Sequence, residues 1–433
     1  MRPLLILLAL LAFPAPASAR LSPEERRMAT AVTAEQDRTV ALLERLVNRN
    51  SGSLNLEGVR AIGQMMREEL EPLGFTVRWV DMAATGRAGH IVATHRGRGR
   101  NVLLIGHLDT VFEPDSPFQH FTRSGNRATG PGVGDDKGGL VVIVAALRAM
   151  QAAGTLRTAN VTIVLTGDEE RTGSPIATAR RDLIEAGRAA DFALEFENLV
   201  RMDGVDYGSI ARRSSTNWTL TAHGRTGHSS GVCGENMGCG AIYELARILD
   251  AFRRELAEPN LTYNVGVMAG GTPAALDADG FRTTASGKTN IIAETAIARG
   301  DLRSLTPEQD ARARERMQAI VAQHLPNTSA ELVFGEDGYP PMAPTEGNRA
   351  LLGRLNAVNR DLGLPDMPEY DPARRGAADS SFVAADVDTL AGLGAAGGGS
   401  HAEGEWVDLD SLPRQATRAA ILITRLTRER PAR

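Results

Sequence analysis

A histidine and an aspartate follow an apolar segment in the stretch IGHLDTV, residues 105–111. The preceding residues VLLIG are typical of a buried β-strand. Side chains of an extended strand alternate between its two faces, so we expect His107 and Asp109 to emerge on the same side of the backbone. An imidazole and a carboxylate that face one region can act as a metal ligand and as the carboxylate that orients it or takes part in catalysis.

Four further stretches place acids or a histidine where a predicted strand gives way to a loop. They are Asp135 and Asp136 in GPGVGDDKGG, Asp168, Glu169 and Glu170 in LTGDEERTG, Glu195 and Glu197 in ALEFEN, and His401 in GGGSHAEGEW. Each stretch alone also fits a helix cap, a solvated turn or an ordinary loop. Together, several carboxylates at one sheet edge are unfavourable unless cations lie between them. Imidazole and carboxylate ligands without a thiolate suit Zn²⁺, and less well Co²⁺ or Mn²⁺.

The elements that must position these residues form an alternating pattern. Short segments rich in β-branched and aliphatic residues alternate with helical patterns, among them TVRWV, HIVATH, NVLLIGH, VTIVLTG and DFALEFE, with KGGLVVIVAALRAMQAAG as a helix between the third and fourth. This alternation predicts an α/β fold in which helices cover a sheet. Ligands of such sheets gather beyond the carboxyl ends of the strands, where the acids accumulate here.

The pattern changes near Tyr207. From Gly208 to about Val321, strands and helices resemble an α+β block inserted into the first domain, and the helical pattern resumes after Pro326. We therefore predict one domain from residues 20–209 and 326–433, and an inserted domain from residues 210–325.

The N-terminal residues 1–19 combine Arg2, a short apolar segment and the small-residue site Ala17-Ser18-Ala19. This order is typical of a cleaved signal peptide and predicts a periplasmic or secreted protein. A net charge of −5 without long charged blocks argues against nucleic acid as a partner. No later apolar segment approaches the length of a transmembrane helix, so we expect no membrane anchoring.

The two cysteines, Cys233 and Cys239, lie in the Gly-rich stretch GVCGENMGCG. In an oxidising compartment this spacing favours a local disulfide, and two buried free thiols are the alternative.

The segments GHLDTV, GPGVGDDKGG, GDEE, EFE and SHAEGE, in this order, resemble the M20 family of metallopeptidases, in particular its glutamate carboxypeptidase branch. The resemblance implies a zinc-peptidase-like mixed sheet and two Zn²⁺ ions bridged by Asp135. It implies that His107 and Glu197 complete one metal site, and that Glu170 and His401 complete the other. Glu197 is preferred to Glu195, its alternative, because the family's ligand follows the aromatic residue. A cis peptide after Asp135 is also implied.

The same resemblance assigns Glu169 as the general base, which passes a proton from water to the leaving nitrogen, and Asp109 as the residue that orients the His107 ring. In the inserted block it implies three substrate-binding residues: His228 in GRTGHSSG, and Asn290 and Arg303 in TNIIAETAIARGDLR. The family's counterpart of His228 reaches across a dimer, so a homodimer is implied, with the insert as a lid and dimerisation domain.

These assignments imply an exported two-zinc hydrolase that cleaves an amide next to a free carboxylate in a peptide or N-acyl amino acid. A carboxypeptidase is the favoured activity, and an N-acyl-amino-acid deacylase or dipeptidase is the alternative. A non-catalytic binder of amino acids or metal is a third possibility from a different class, which the complete ligand set disfavours.

Overall fold

The computed structural model describes residues 21–277 and 280–430. The predicted signal peptide, residues 1–19, lies outside this range. None of the helices in the described ranges combines the length and the apolar character that crossing a membrane requires.

Helices and short strands alternate along the first half of the chain, as the sequence pattern predicts. The α-helices are α1 Pro23–Ala34, α2 Gln36–Val47, α3 Leu56–Leu70, α4 Lys137–Ala153, α5 Ile176–Ala179, α6 Arg181–Arg188, α7 Ala241–Glu255, α8 Pro307–Val321, α9 Glu346–Asp361 and α10 Ser411–Arg428. The strands are β1 Thr76–Asp81, β2 Gly89–His95, β3 Asn101–His107, β4 Thr122–Ser124, β5 Arg127–Thr129, β6 Asn160–Thr166, β7 Phe192–Glu195, β8 Val200–Met202, β9 Val205–Tyr207, β10 Thr216–Gly224, β11 Thr262–Gly271, β12 Ala274–Leu276, β13 Thr283–Ala285, β14 Thr295–Arg303, β15 Thr328–Phe334, β16 Thr389–Leu390, β17 Gly397–Gly398 and β18 Trp406–Asp408.

A six-stranded mixed sheet with the order β1-β2-β6-β3-β7-β16 forms the centre of the larger unit. The first two pairings are antiparallel, and β6, β3, β7 and β16 run parallel to one another. Every residue of β3 is buried, which explains its continuous apolar sequence, because parallel strands are covered on both faces. The predicted α/β fold with a mixed sheet is confirmed.

Helix α4 is the main helix of this core. It is buried along most of its length and packs between α1 and α10. It ends at Gly154, whose φ of 78° lies in the left-handed region that glycine adopts without steric cost. The start of α4 lies next to the carboxyl end of β3, because the Asp136 carboxylate before α4 accepts the backbone N–H of His107 at 3.2 Å.

The inserted unit is built on an antiparallel sheet with the order β11-β14-β10-β15. Helices α7 and α8 pack on this sheet, and Trp218, Leu245 and Phe252 belong to its own hydrophobic core. The sheet corrects the predicted boundary, because β15 lies beyond residue 325 and pairs with β10. This edge strand has no fully buried residue, so its sequence lacks a continuous apolar segment such as that of β3.

Two segments connect the larger unit with the inserted unit, and they pair with each other. Arg212 pairs with Met342, and Ser215 pairs with Tyr339, as isolated antiparallel bridges. Both connections lie beside the end of the central sheet, because Arg212 contacts Glu195 of β7 and the Tyr339 hydroxyl donates to the Glu169 backbone oxygen.

Candidate active site

The site lies at the carboxyl edge of the central sheet. Strands β3, β6 and β7 are parallel, so the residues that follow them meet at the same edge. Asp135 is added by the loop before α4. The loop between β17 and β18 adds His401. This loop reaches the site because β18 pairs with β5, the strand that precedes the Asp135 loop.

Three groups of side chains at this edge could each hold a metal ion, with ligand atoms within 4.8 Å of one another. They are His107, Asp135 and Glu197; Asp135, Glu170 and His401; and His107, Glu169 and Glu170. The structure therefore brings together all five ligands that the sequence predicts, and the first two groups share Asp135.

Asp135 contacts both histidines. Its Oδ1 lies 3.0 Å from His107 Nε2, and its Oδ2 lies 3.3 Å from His401 Nε2. His401 Nε2 is also 3.1 Å from Glu170 Oε2. Burial opposes the charged form of Asp135, yet hydrogen bonds from the two histidines lower the pKa of this carboxyl. Hydrogen bonds to Asp135 and Glu170 raise the pKa of His401 to about 10.

The donor set fits a pair of divalent cations. Glu170 Oε1 is buried and, within the described part of the chain, has no hydrogen-bond partner. Desolvation, together with other carboxylates, raises the pKa of Glu170 and raises that of Glu197 to about 7. Bound cations would supply the opposite charge that these oxygens lack. Imidazole and carboxylate donors suit Zn²⁺, Co²⁺ or Mn²⁺.

Asp109 holds the turn that carries the two adjacent glutamates. It is fully buried, and its carboxylate accepts the backbone N–H groups of Glu169 and Glu170 at 3.0 and 3.1 Å. Ser53, which the sequence analysis missed, donates its hydroxyl to the same carboxylate at 2.6 Å. His107 Nδ1 lies 3.1 Å from the backbone oxygen of Asp109 and 3.4 Å from its carboxylate. One aspartate thus contacts both a candidate ligand and the candidate base segment.

Glu169 and Glu170 lie in the same turn but in different surroundings. Glu170 contacts His401, whereas desolvation and the nearby Glu197 carboxylate raise the pKa of Glu169 well above its ordinary value. Such a shift brings a carboxyl closer to the pKa that proton transfer near neutral pH requires. The backbone oxygen of Glu169 accepts the Tyr339 hydroxyl at 2.9 Å, which ties the turn to one of the two connections.

Glu405 is a second residue that the sequence analysis missed. Its buried carboxylate accepts the backbone N–H groups of Gly132, Gly134 and Asp135, each at 2.9 Å. It thereby holds the loop that presents Asp135, whose peptide bond to Asp136 is cis, as the resemblance implies. The available signal was its place in the motif SHAEGEW, four residues after His401.

Glu195 and Glu197 have different partners. Glu197 belongs to a metal-ligand group, whereas Glu195 accepts the backbone N–H of Ser380 at 3.1 Å and is in none of the three groups. Arg212 Nη2 lies 2.5 Å from a carboxylate oxygen of each. No local motif predicted Arg212, because only the fold brings its connecting segment to the sheet edge.

The three substrate-binding residues predicted in the insert contact other residues of the insert. His228 and Asn290 are both exposed. They lie close together, because the backbone N–H of Ser229 donates to the Asn290 backbone oxygen at 2.9 Å. Arg303 Nε donates to Asp301 Oδ2 at 2.8 Å. A disulfide between Cys233 and Cys239 closes the loop that follows His228.

Comparison with known proteins matches the model of peptidase family M20/M25/M40 to residues 103–425, well over half of the chain. The chain belongs to this family. The resemblance found in the sequence motifs is thus confirmed, and the protein is an M20 metallopeptidase.

Two relatives span most of this M20 protein. Carboxypeptidase G2 of Pseudomonas sp. (strain RS-16) is 28% identical over 403 residues, which cover 91% of this chain and 90% of the relative. Succinyl-diaminopimelate desuccinylase of Nitrosospira multiformis is 26% identical over 408 residues, which cover 89% of this chain and 98% of that enzyme.

A solved structure shares the fold. It is a Bacillus subtilis protein described as a dinuclear metal-binding peptidase of the M20 family, with a TM-score of 0.63 and 15% identity. The match covers 91% of this chain and 99% of the other.

Proposed function

We propose that this M20 metallopeptidase is an exported carboxypeptidase that uses two zinc ions to cleave an amide next to a free carboxylate. The observation that carries the proposal is the pair of ligand groups that share Asp135, with Glu169 beside them. A non-catalytic binder would not need a general base with a raised pKa at such a site.

The ligands divide into two sets. His107 and Glu197 would hold one ion, Glu170 and His401 would hold the other, and Asp135 would contact both. When bound, the ions would supply Lewis acidity to the scissile carbonyl and lower the pKa of water. Asp109 would fix the tautomer of His107 through its contacts with Nδ1.

Glu169 would move the proton. As a base it would take a proton from the attacking water, and as an acid it would deliver that proton to the leaving nitrogen. Its desolvated position and the neighbouring carboxylates favour the protonated form that the second transfer requires. Asp109 holds the Glu169 backbone and so keeps this carboxyl at the site.

The substrate proposal rests on the relatives and on the charge of candidate binding residues. The similarity to carboxypeptidase G2 covers most of both chains, which supports cleavage beside a free carboxylate. His228, Asn290 and Arg303 would contact the substrate, with Arg303 binding a carboxylate. Deacylation of an N-acyl amino acid is the second candidate, supported by the similarity to the desuccinylase.

A substrate panel tests the activity. Purified protein loaded with Zn²⁺, Co²⁺ or Mn²⁺ would be incubated with N-acyl amino acids, dipeptides and N-succinyl amino acids, and released amino acid would be measured. Cleavage of N-acyl glutamate or peptides with a free C-terminus supports the carboxypeptidase. Cleavage of the N-succinyl compounds alone would favour the deacylase, and no release from any substrate with any metal would contradict both.

We further propose that the insert serves as the lid and the dimerisation domain. Strand β11 is an edge strand of its sheet, and Ile242, Tyr243 and Met268 are exposed apolar side chains in this unit. Edge strands and exposed apolar groups are features of association surfaces. Sedimentation equilibrium should give twice the mass of one chain, and a monomer at micromolar concentration would contradict the proposal.

Export is proposed from residues 1–19. Expression of the full sequence in a Gram-negative host should release a protein whose N-terminus lies near Arg20, as determined by N-terminal sequencing. A cytoplasmic product that retains Met1 would contradict export.

A further inference from the structure

Arg375 is a largely buried arginine next to a candidate metal ligand. Its side chain is 13% exposed, although its neighbours Arg374 and Gly376 are exposed. Nη2 donates to the backbone oxygen of Asn198 at 2.9 Å and lies 3.6 Å from Glu197 Oε2. Nε is buried and finds no hydrogen-bond acceptor in the described part of the chain.

The neighbouring Arg212 has closer carboxylate partners than Arg375, although its Nε likewise has no hydrogen-bond partner in the described residues. Its Nη2 contacts the carboxylates of both Glu195 and Glu197 at 2.5 Å, and its Nη1 donates to the Gly376 backbone oxygen at 3.2 Å. The glutamates are therefore already paired with one guanidinium. Arg375 makes only a longer contact with Glu197, so it brings an additional positive charge.

A buried guanidinium with unused donors is unfavourable unless a partner binds there. Arginine stays charged at all physiological pH values and offers five N–H donors in a planar arrangement that matches a carboxylate. The chain supplies no carboxylate within hydrogen-bonding distance of Arg375 in the described residues. A substrate carboxylate that arrives beside the metal-ligand groups would satisfy these donors.

We propose that Arg375 binds the substrate carboxylate adjacent to the scissile amide, an inference that rests on the proposed function. It would act from the catalytic unit itself, beside Glu197. Arg303, by contrast, lies in the insert and is already paired with Asp301. Arg375 would therefore determine the preference for substrates with a free carboxylate.

The test compares acids with amides on the metal-loaded full-length enzyme. The ligands would be the N-acetyl derivatives of glutamate, alanine and phenylalanine, each as the free acid and as the α-amide. Calorimetry would measure their binding to the wild type, Arg375→Gln, Arg375→Lys and the control Arg374→Gln. Zinc content and thermal unfolding would be measured for each protein. The control changes an exposed arginine next in the chain.

We expect the wild type to bind at least one acid more tightly than its amide, and Arg375→Gln to weaken that acid by about 10- to 100-fold with little effect on the amide. Arg375→Lys should lie between, because the charge remains but the planar pair of donors is lost. Zinc content and the control should not change. In the turnover of any cleaved substrate, KM should rise far more than kcat falls.

Three results would overturn the inference. One is a wild type that does not distinguish acid from amide, which decides the matter even if Arg375→Gln does not fold. Another is an equal loss of affinity for acid and amide in Arg375→Gln. The third is a loss of zinc from this variant, which would mean that Arg375 only positions Glu197. If no substrate is cleaved, the proposed function fails, but the acid and amide affinities still test Arg375.

Discussion

The two units of this M20 protein hold their predicted functional residues in different ways. In the catalytic unit, the residues follow strand ends and contact one another, as Asp109 does with His107 and with the Glu169 backbone. In the insert, His228 and Asn290 are exposed, and Arg303 pairs within its own strand. The first arrangement is preformed and could hold metal ions. We propose that the second contributes only once substrate, lid movement or a second subunit is present.

This difference predicts that changes to the candidate ligands and to the residues that hold them alter metal binding, whereas changes in the insert alter only substrate binding. The largest expected effect concerns Asp135, which contacts both histidines. Asp135→Ala should abolish turnover and reduce bound metal to a small fraction of the wild-type content, measured by atomic emission. Retention of both ions in a folded variant would contradict the shared-ligand assignment.

The next effect concerns Glu169. Glu169→Gln should lower kcat by about 10²- to 10⁴-fold because the amide cannot transfer the proton. Metal content should be unchanged, since the proposed ligand in this turn is Glu170. Glu68→Gln, on the exposed side of α3, serves as the control and should leave kcat unchanged. A parallel loss of metal would assign Glu169 to coordination instead.

Glu405 extends the preformed site to a residue outside the ligand set. Glu405→Gln should weaken metal affinity by about 10- to 100-fold, because the charged acceptor of three loop N–H groups becomes a neutral amide. Competition with a fluorescent chelator would measure the change. An unaltered affinity would show that the Asp135 loop holds its shape without this carboxylate.

A smaller effect is expected in the insert. Arg303→Ala should raise KM by about tenfold through the loss of a charge-assisted contact, with metal content unchanged. The control Arg253→Ala removes an exposed arginine of α7 and should leave KM unaltered. Loss of metal from Arg303→Ala would remove the distinction between the two units.

The pH dependence of metal binding gives the smallest effect. In the metal-free protein the pKa of His401 is raised to about 10, so metal must displace its proton near neutral pH. Metal affinity should therefore rise with pH, by at most about tenfold per unit for one proton. In the metal-free protein, the contacts of the protonated His401 ring stabilise the fold. This stabilisation is complete below pH 6.5 and is lost as the pH rises toward 10, so it changes with pH in the direction opposite to the metal affinity. Chelator titrations should show a shallower slope for His401→Ala.

Much of the catalytic unit follows from local sequence. Apolar segments such as VLLIG define strands, and the polar residues directly after them reach the same edge because parallel strands share a direction. The sequence pattern therefore predicted an α/β sheet, helix α4 and the convergence of His107, Asp135 and Glu170, whereas the mixed character of the sheet was implied by the family resemblance. It did not predict β15, because an edge strand without fully buried residues has no distinctive apolar pattern.

By itself, the sequence determined which residue types stand at the strand ends, and hence that this edge of the sheet is a candidate cation site. Only the tertiary structure decided which remote groups support them, since Ser53, Arg212 and Glu405 belong to segments far apart along the chain. Their roles depend on contacts closed by the whole fold, such as the pairing of β18 with β5 that places Glu405 against the Asp135 loop. Burial then raises the pKa of Glu169, Glu170 and Glu197, because desolvation depends on the packed surroundings of a side chain and not on its neighbours in sequence.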